Sequence, residues 1–119
     1  MPARMWGGML TKKDVTFTVE ALTEYTQIEG NALVSGDDAI DKEAEDTIRC
    51  DLAWNIWAWC TVKVTATWKS LSADDYLGCC SYSSEADFMQ GGYYDDMKAE
   101  ALTSLNAQLQ DILDAAGEL

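Results

Sequence analysis

Residues 56–69 read IWAWCTVKVTATWK, and the alternation in this stretch sets the fold class. Successive side chains of an extended chain point to opposite faces, so a period of two predicts a strand. Trp57, Trp59, Thr61, Lys63, Thr65 and Thr67 share one face; Ala58, Cys60, Val62, Val64, Ala66 and Trp68 share the other, which is assigned to the core. The β-branched and aromatic content suits a pleated surface. If helices cover only the core side, Trp57 and Trp59 stand exposed beside the threonines as an aromatic contact surface. An N-terminal arm or a further layer would cover them instead.

Working outward, residues 70–75 (SLSADD) read as a turn and Tyr76–Tyr82 as a returning strand, giving a hairpin. Asp74 and Asp75 then bond their own backbone, and Gly78 suggests a bulge or a close backbone approach. Upstream, residues 14–20 (DVTFTVE) alternate Val15, Phe17 and Val19 with Thr16 and Thr18, a third strand. Gly30-Asn31 and Ser35-Gly36 mark turns. Asp37 or Asp38 caps a helix reaching about Ala53, with Ile40, Ala44, Ile48 and Leu52 as its buried stripe. Asp38–Lys42 and Glu45–Arg49 are acid-before-base pairs on it, each contributing about 0.3 kcal/mol.

Ser83 or Ser84 caps a short helical turn, EADFMQ, which Gly91-Gly92 stops. A long helix from about Tyr93 to Ala115 turns Tyr94, Met97, Ala101, Leu102, Leu105, Leu109, Ile112 and Leu113 inward. The expected fold is α+β: an antiparallel sheet of about three strands packed against two main helices and one short helix. The chain has 119 residues, 48% of them hydrophobic, which suits one domain with its own core. Residues 1–13 read as a loose N-terminal arm or an edge segment, pinned by Trp6.

The net charge is −13, from 21 acids and 8 bases. Nucleic acid and anionic membrane are therefore not expected as partners, because phosphate is held by Lys and Arg. A protein with a basic surface that normally binds nucleic acid is expected, since a field of this sign speeds the encounter. Solubility alone is the simpler explanation of an acidic chain. By segment the charge is −1 over residues 1–36, −5 over 37–51, 0 over 52–84, −4 over 85–100 and −3 over 101–119. The helices carry the field and the sheet is neutral.

At about 100° per residue, Asp96, Glu100, Asp111 and Asp114 fall in one outer stripe of the last helix, spanning about 27 Å. No Lys or Arg shares that stripe, whereas surface helices commonly mix signs. Such a row stands in crudely for a strand of phosphates; an ordinary solvated face is the plain alternative. Asp41, Glu45 and Asp46 form a second acidic patch. Asp95 and Asp96 also suit the positive end of the helix dipole.

Catalytic patterns are missing. There is no His, so the common neutral-pH base is absent. Cys50, Cys60, Cys79 and Cys80 form no C-x2-4-C pair for zinc. Cys79 and Cys80 lie among acids, which disfavours a thiolate nucleophile, and they would bond each other only in a strained ring. DDAIDKEAED spaces its acids for a helix, not a calcium loop. No carboxylate pair is marked for glycoside chemistry, and no Gly-rich phosphate loop follows a strand. The chain is not expected to be an enzyme or to hold a cofactor or metal. No run of about 18 apolar residues is present, and Met1 to Leu10 lacks a signal-peptide core. A cytoplasmic protein with reduced thiols is expected, as a monomer or small homo-oligomer.

Residues 73–102, ADDYLGCCSYSSEADFMQGGYYDDMKAEAL, resemble small open reading frames of tailed phages and prophages. The likeness extends to the Gly-Asp-Asp-Ala stretch at Gly36 to Ala39, the Trp-Ala-Trp strand at Trp57 to Trp59, and the Leu-Gly-Cys turn with its second Cys at Leu77 to Tyr82. It covers roughly residues 30–110. It implies a phage protein expressed in the bacterial cytoplasm, where small acidic proteins are often inhibitors of host defence, including anti-CRISPR proteins and DNA mimics. A phage assembly protein that self-associates through the Trp57/Trp59 face is the alternative.

Overall fold

A computed structural model describes residues 9–117. Residues 1–8, with Trp6, and residues 118–119 lie outside the described residues. The elements are strand β1 (Thr16–Thr23), helix α1 (Asp38–Leu52), a 3-10 turn (Ile56–Ala58), strands β2 (Cys60–Trp68) and β3 (Leu71–Cys80), short helix α2 (Glu85–Gln90) and long helix α3 (Gly92–Gly117). The strands form one antiparallel sheet in the order β1-β2-β3, so the fold is α+β.

The core follows from the central strand. Cys60, Val62, Val64 and Ala66 are each 0% exposed. The register pairs Val19 with Val64 and Ala21 with Val62, which brings Phe17, Val19 and Ala21 of β1 into the same layer. Helix α3 lies over that face with Met97, Ala101 and Leu105 buried. Near the hairpin its approach is made by Ala66, Ala73 and Ala101, which cluster with Leu105. At the other end the filler is Phe88 of α2, also fully buried. Trp57 stacks on its ring at 5.8 Å, Tyr82 meets it edge-on at 5.2 Å, and Tyr94 tilts against it at 5.8 Å. Helix α2 is held at its start by reciprocal bonds: Asp87 N donates to Ser84 Oγ (3.1 Å) and Ser83 N to Asp87 Oδ2 (3.0 Å). That satisfies one backbone donor the helix leaves open, at Asp87, and ties down the entering chain at Ser83.

The hairpin differs from its expected form. SLSADD is strand, and the connection is only Lys69-Ser70, with Lys69 in the left-handed region at φ 54° and its Nζ 5.2 Å from the Trp68 ring. Leu71, Ala73, Asp75 and Leu77 alternate inward while Ser72, Asp74 and Tyr76 face out. The period was in the sequence, but its Ser/Asp composition read as a turn. Asp74 therefore bonds across the sheet and not to its own backbone: Thr65 Oγ1 donates to it at 2.6 Å, and Lys63 Nζ lies 4.0 Å away.

The aromatic sheet face does not form. Trp57 lies in the 3-10 turn, before the alternation begins, and packs into the Phe88 cluster. Trp59 is 3% exposed, and its Nε1 donates to Thr26 O at 2.9 Å, so the segment after β1 covers it. The open face is instead a polar ladder, Thr18 beside Thr65 beside Asp74 and Glu20 beside Lys63 beside Tyr76.

The buried stripe expected on α1 is not buried. No α1 residue is buried, and Ile40 is 51% exposed. Three strands spaced about 4.8 Å apart make a sheet that one helix about 10 Å across, with α2, already covers. Helix α1 is left beyond the end of the sheet, against the 3-10 turn. At the opposite end, Gln108 Nε2 donates to Ser72 O (2.8 Å) where α3 leaves the hairpin. Past that point Leu109 and Leu113 are half-exposed and Ile112 exposed. The extents are 62 × 24 × 22 Å and the radius of gyration 18.9 Å, against about 13.5 Å for a compact chain of this length. The N-terminal segment is docked from Leu10 on: its N–H donates to Asn106 Oδ1 (2.9 Å), and Asn106 Nδ2 donates to its carbonyl (3.1 Å).

The layer beneath α3 and α2 should therefore respond strongly to truncation, and α1 should not. Leu105→Ala is expected to cost about 3 kcal/mol in urea unfolding followed by circular dichroism, and Ile40→Ala less than about 1 kcal/mol. Equal costs at the two positions would show that α1 shares the core.

Candidate functional site

The four carboxylates of the α3 row are all exposed: Asp96, Glu100, Asp111 and Asp114. Among the described residues none of them is in an ion pair. Asp114 accepts a hydrogen bond from Gln110 Nε2 at 2.8 Å, which orients its charge without neutralising it. The row is two pairs. Asp96 and Glu100 are about 6 Å apart along the axis, and Asp111 and Asp114 about 4.5 Å, with about 16 Å between the pairs. The first pair sits over the sheet and the second on the overhanging part of the helix. Lys98, the nearest base, turns inward: its Nζ is 3.3 Å from Asp95 and 4.2 Å from the Tyr94 ring centroid. Asp95 thus has an ion-pair partner besides the helix dipole.

The α1 patch is of another kind. Asp41 Oδ1 accepts from Ser35 N (3.0 Å) and Ser35 Oγ (2.7 Å), and Glu45 Oε2 accepts from Gly30 N (2.9 Å). Both carboxylates bind the preceding loop to the helix. Asp46 is neutralised by Lys42 (3.3 Å) and Arg49 (2.7 Å), and Arg49 also pairs with Glu29. The pairs expected from spacing, Asp38–Lys42 and Glu45–Arg49, are replaced because both bases converge on Asp46. Asp41, Glu45 and Asp46 are therefore structural groups, at the opposite end of the molecule from the overhanging end of the α3 row. Trp59 is buried and Trp57 half-buried against the Phe88 cluster, so the two do not form an exposed sheet face.

Glu24, which the sequence did not mark, is the most tightly held carboxylate. Oε1 accepts from Cys79 N (2.6 Å) and Thr61 Oγ1 (2.9 Å), and Oε2 from Thr26 N (3.0 Å). The strands need this link because the β2–β3 register slips between Cys60 and Val62, leaving an extra residue in β3. Cys79, at φ 56°, turns its N–H out of the ladder there. Gly78 leaves room for this carboxylate: a Cβ on it would lie 3.1 Å from Glu24 Oε1, and the carboxylate would have to shift by a few tenths of an ångström. Donation from Cys79 and then Thr26 lowers the Glu24 pKa from its ordinary 4.5 to about 2.

The cysteines divide by burial. Cys50 and Cys79 are exposed, while Cys60 and Cys80 are buried; the bulge turns Cys79 out. Burial pushes the Cys60 thiol up to about 12 and raises that of Cys80, so neither ionises readily. Among the described residues no group of three or more His, Cys, Asp or Glu is placed to hold a metal ion, and no helix is long and apolar enough to cross a membrane. Compared with protein-family models, curated proteins and solved structures, the chain matches none.

The Glu24 clamp has a sign-defined pH signature. The unfolded chain protonates this carboxyl near 4.5 while the folded chain holds it ionised to about 2. Its stabilisation is complete above pH 4.5 and is lost as pH falls from there toward 2. Glu24→Gln is expected to lower stability by about 1 kcal/mol at pH 7 and to flatten that part of the acid limb. A stability–pH curve parallel to that of the unaltered chain would count against the clamp.

Proposed function

We propose that this chain is an acidic binding protein that inhibits a nucleic-acid-handling complex by occupying its basic groove. In the setting implied by its resemblance to phage open reading frames, it is a phage protein in the bacterial cytoplasm that blocks host defence, with an anti-CRISPR protein as the most concrete form. The observation carrying this reading is the α3 row of four exposed carboxylates without an ion-pair partner among the described residues. Structural demands explain Asp41, Glu45, Asp46 and Glu24, but none explains this row.

The shape supports the same reading. The acids lie along one edge of a rod 62 Å long and 22–24 Å across. A groove built for a nucleic-acid strand admits a rod with charge along its side more readily than a sphere. Two close pairs separated by about 16 Å offer a basic wall two points of contact, sparser than phosphates at about 3.4 Å per strand. Exposed charges are screened within about 8 Å at physiological salt. The row therefore acts on encounter rate and choice of partner more than on final affinity. The aromatic sheet face on which self-assembly would have depended is occupied by threonines, Lys63 and Asp74.

The test is capture from nuclease-treated bacterial lysate at low salt. The immobilised chain is expected to retain proteins with basic nucleic-acid-binding surfaces, and added duplex DNA or high salt should release them. Asp96→Lys with Glu100→Lys should reduce capture at least about tenfold with the fold intact by circular dichroism. Capture that survives both charge reversal and competing DNA would reject the reading.

A further inference from the structure

We propose that the exposed face of α1 is a docking surface for a basic amphipathic helix of a partner protein. Ile40, Ala44 and Ile48 line a shallow groove with Leu33, and Glu43 stands on its wall. Ile48 continues into a second, more polar cleft, where Trp54 meets Asp51, Asn55, Ser83 and Asp87. The apolar groove on the helix is thus followed, just past the helix end, by a tryptophan that is 77% exposed. Helix periodicity put these residues on one face; Ile40 is exposed, Ala44 and Ile48 are half-buried, and none of them is fully buried. Leaving Ile40, Val34 and Trp54 in water gains nothing for the isolated chain. Aromatic anchors beside aliphatic grooves are what interface helices use.

Charge selects the occupant. Glu43 and Asp51 have no ion-pair or side-chain hydrogen-bond partner among the described residues, and they lie about 12 Å apart along the helix. The two bases of α1, Lys42 and Arg49, are engaged with Asp46 and Glu29. A second copy would set Glu43 and Asp51 against their own kind with no base to relieve them. A partner helix with an apolar stripe flanked by Lys or Arg satisfies both features together. This surface is separate from the α3 row and does not rest on it.

The probe is a synthetic Leu/Lys helix of about 18 residues, leucines on one face and lysines flanking them, with a scrambled peptide of the same composition as control. Calorimetry is expected to show binding at least tenfold tighter for the helical order. Ile40→Gln with Ile48→Gln, and separately Glu43→Gln with Asp51→Asn, should each weaken binding at least tenfold with the circular dichroism spectrum unchanged. Asp96→Lys with Glu100→Lys should leave the hydrophobic dependence intact, which separates this surface from the α3 row. No binding, equal binding of the scrambled peptide, or indifference to either α1 pair overturns the proposal. So does a sedimentation dimer of the chain alone that Ile40→Gln with Ile48→Gln abolishes, because a second copy would then be the occupant.

Discussion

Burial of alternate β2 residues beneath α3 is the interaction on which the rest of the structure depends. Four residues, Cys60, Val62, Val64 and Ala66, lose all contact with water. Each of the valines contributes about 1.5–3 kcal/mol by leaving it. They are small or β-branched, so the helix comes close, and Ala101 keeps that approach open where Ala66 and Ala73 meet it. Phe88 then closes the wider end with three aromatic neighbours. Both outer strands inherit their register from this one.

Because one helix and a short companion cover a three-stranded sheet, other parts of the chain have no core to join. Helix α1 is stranded at one end and the last turns of α3 at the other. The first leaves an apolar strip in water; the second carries carboxylates past the edge of the sheet. Elongation, the exposed strip and the projecting charge are thus three consequences of one narrow sheet. The functional readings use these consequences rather than any cleft with reactive groups.

The acids of this chain do at least three different jobs that composition adds together as −13. Glu24 ties three segments at a bulge. Asp41, Glu45 and Asp46 fix a loop and collect two bases. Among the described residues Asp96, Glu100 and Asp111 have no such partner, and Asp114 has only an amide. A segment count gives α1 the largest share of negative charge, yet the field most open to a partner is on α3, because hydrogen bonds and ion pairs absorb much of the first.

By itself the sequence determined the elements whose cause is local. Alternation through Cys60–Ala66 identified the central strand and its inward face, because the side-chain period belongs to the strand. Asp37 or Asp38, and Ser83 or Ser84, marked the helix starts, because a cap is a bond within three residues; Asp37 and Ser84 are the caps that form. The outer placement of the α3 carboxylates followed from helical geometry. Tertiary structure alone decided what depends on partners distant in sequence. Glu24 meets Cys79 across 55 positions, and Trp59 finds its acceptor at Thr26. Ile40 and Ile48 have the spacing of a buried stripe, but burial needs a second surface, and the width of a three-stranded sheet had already given that surface to α3.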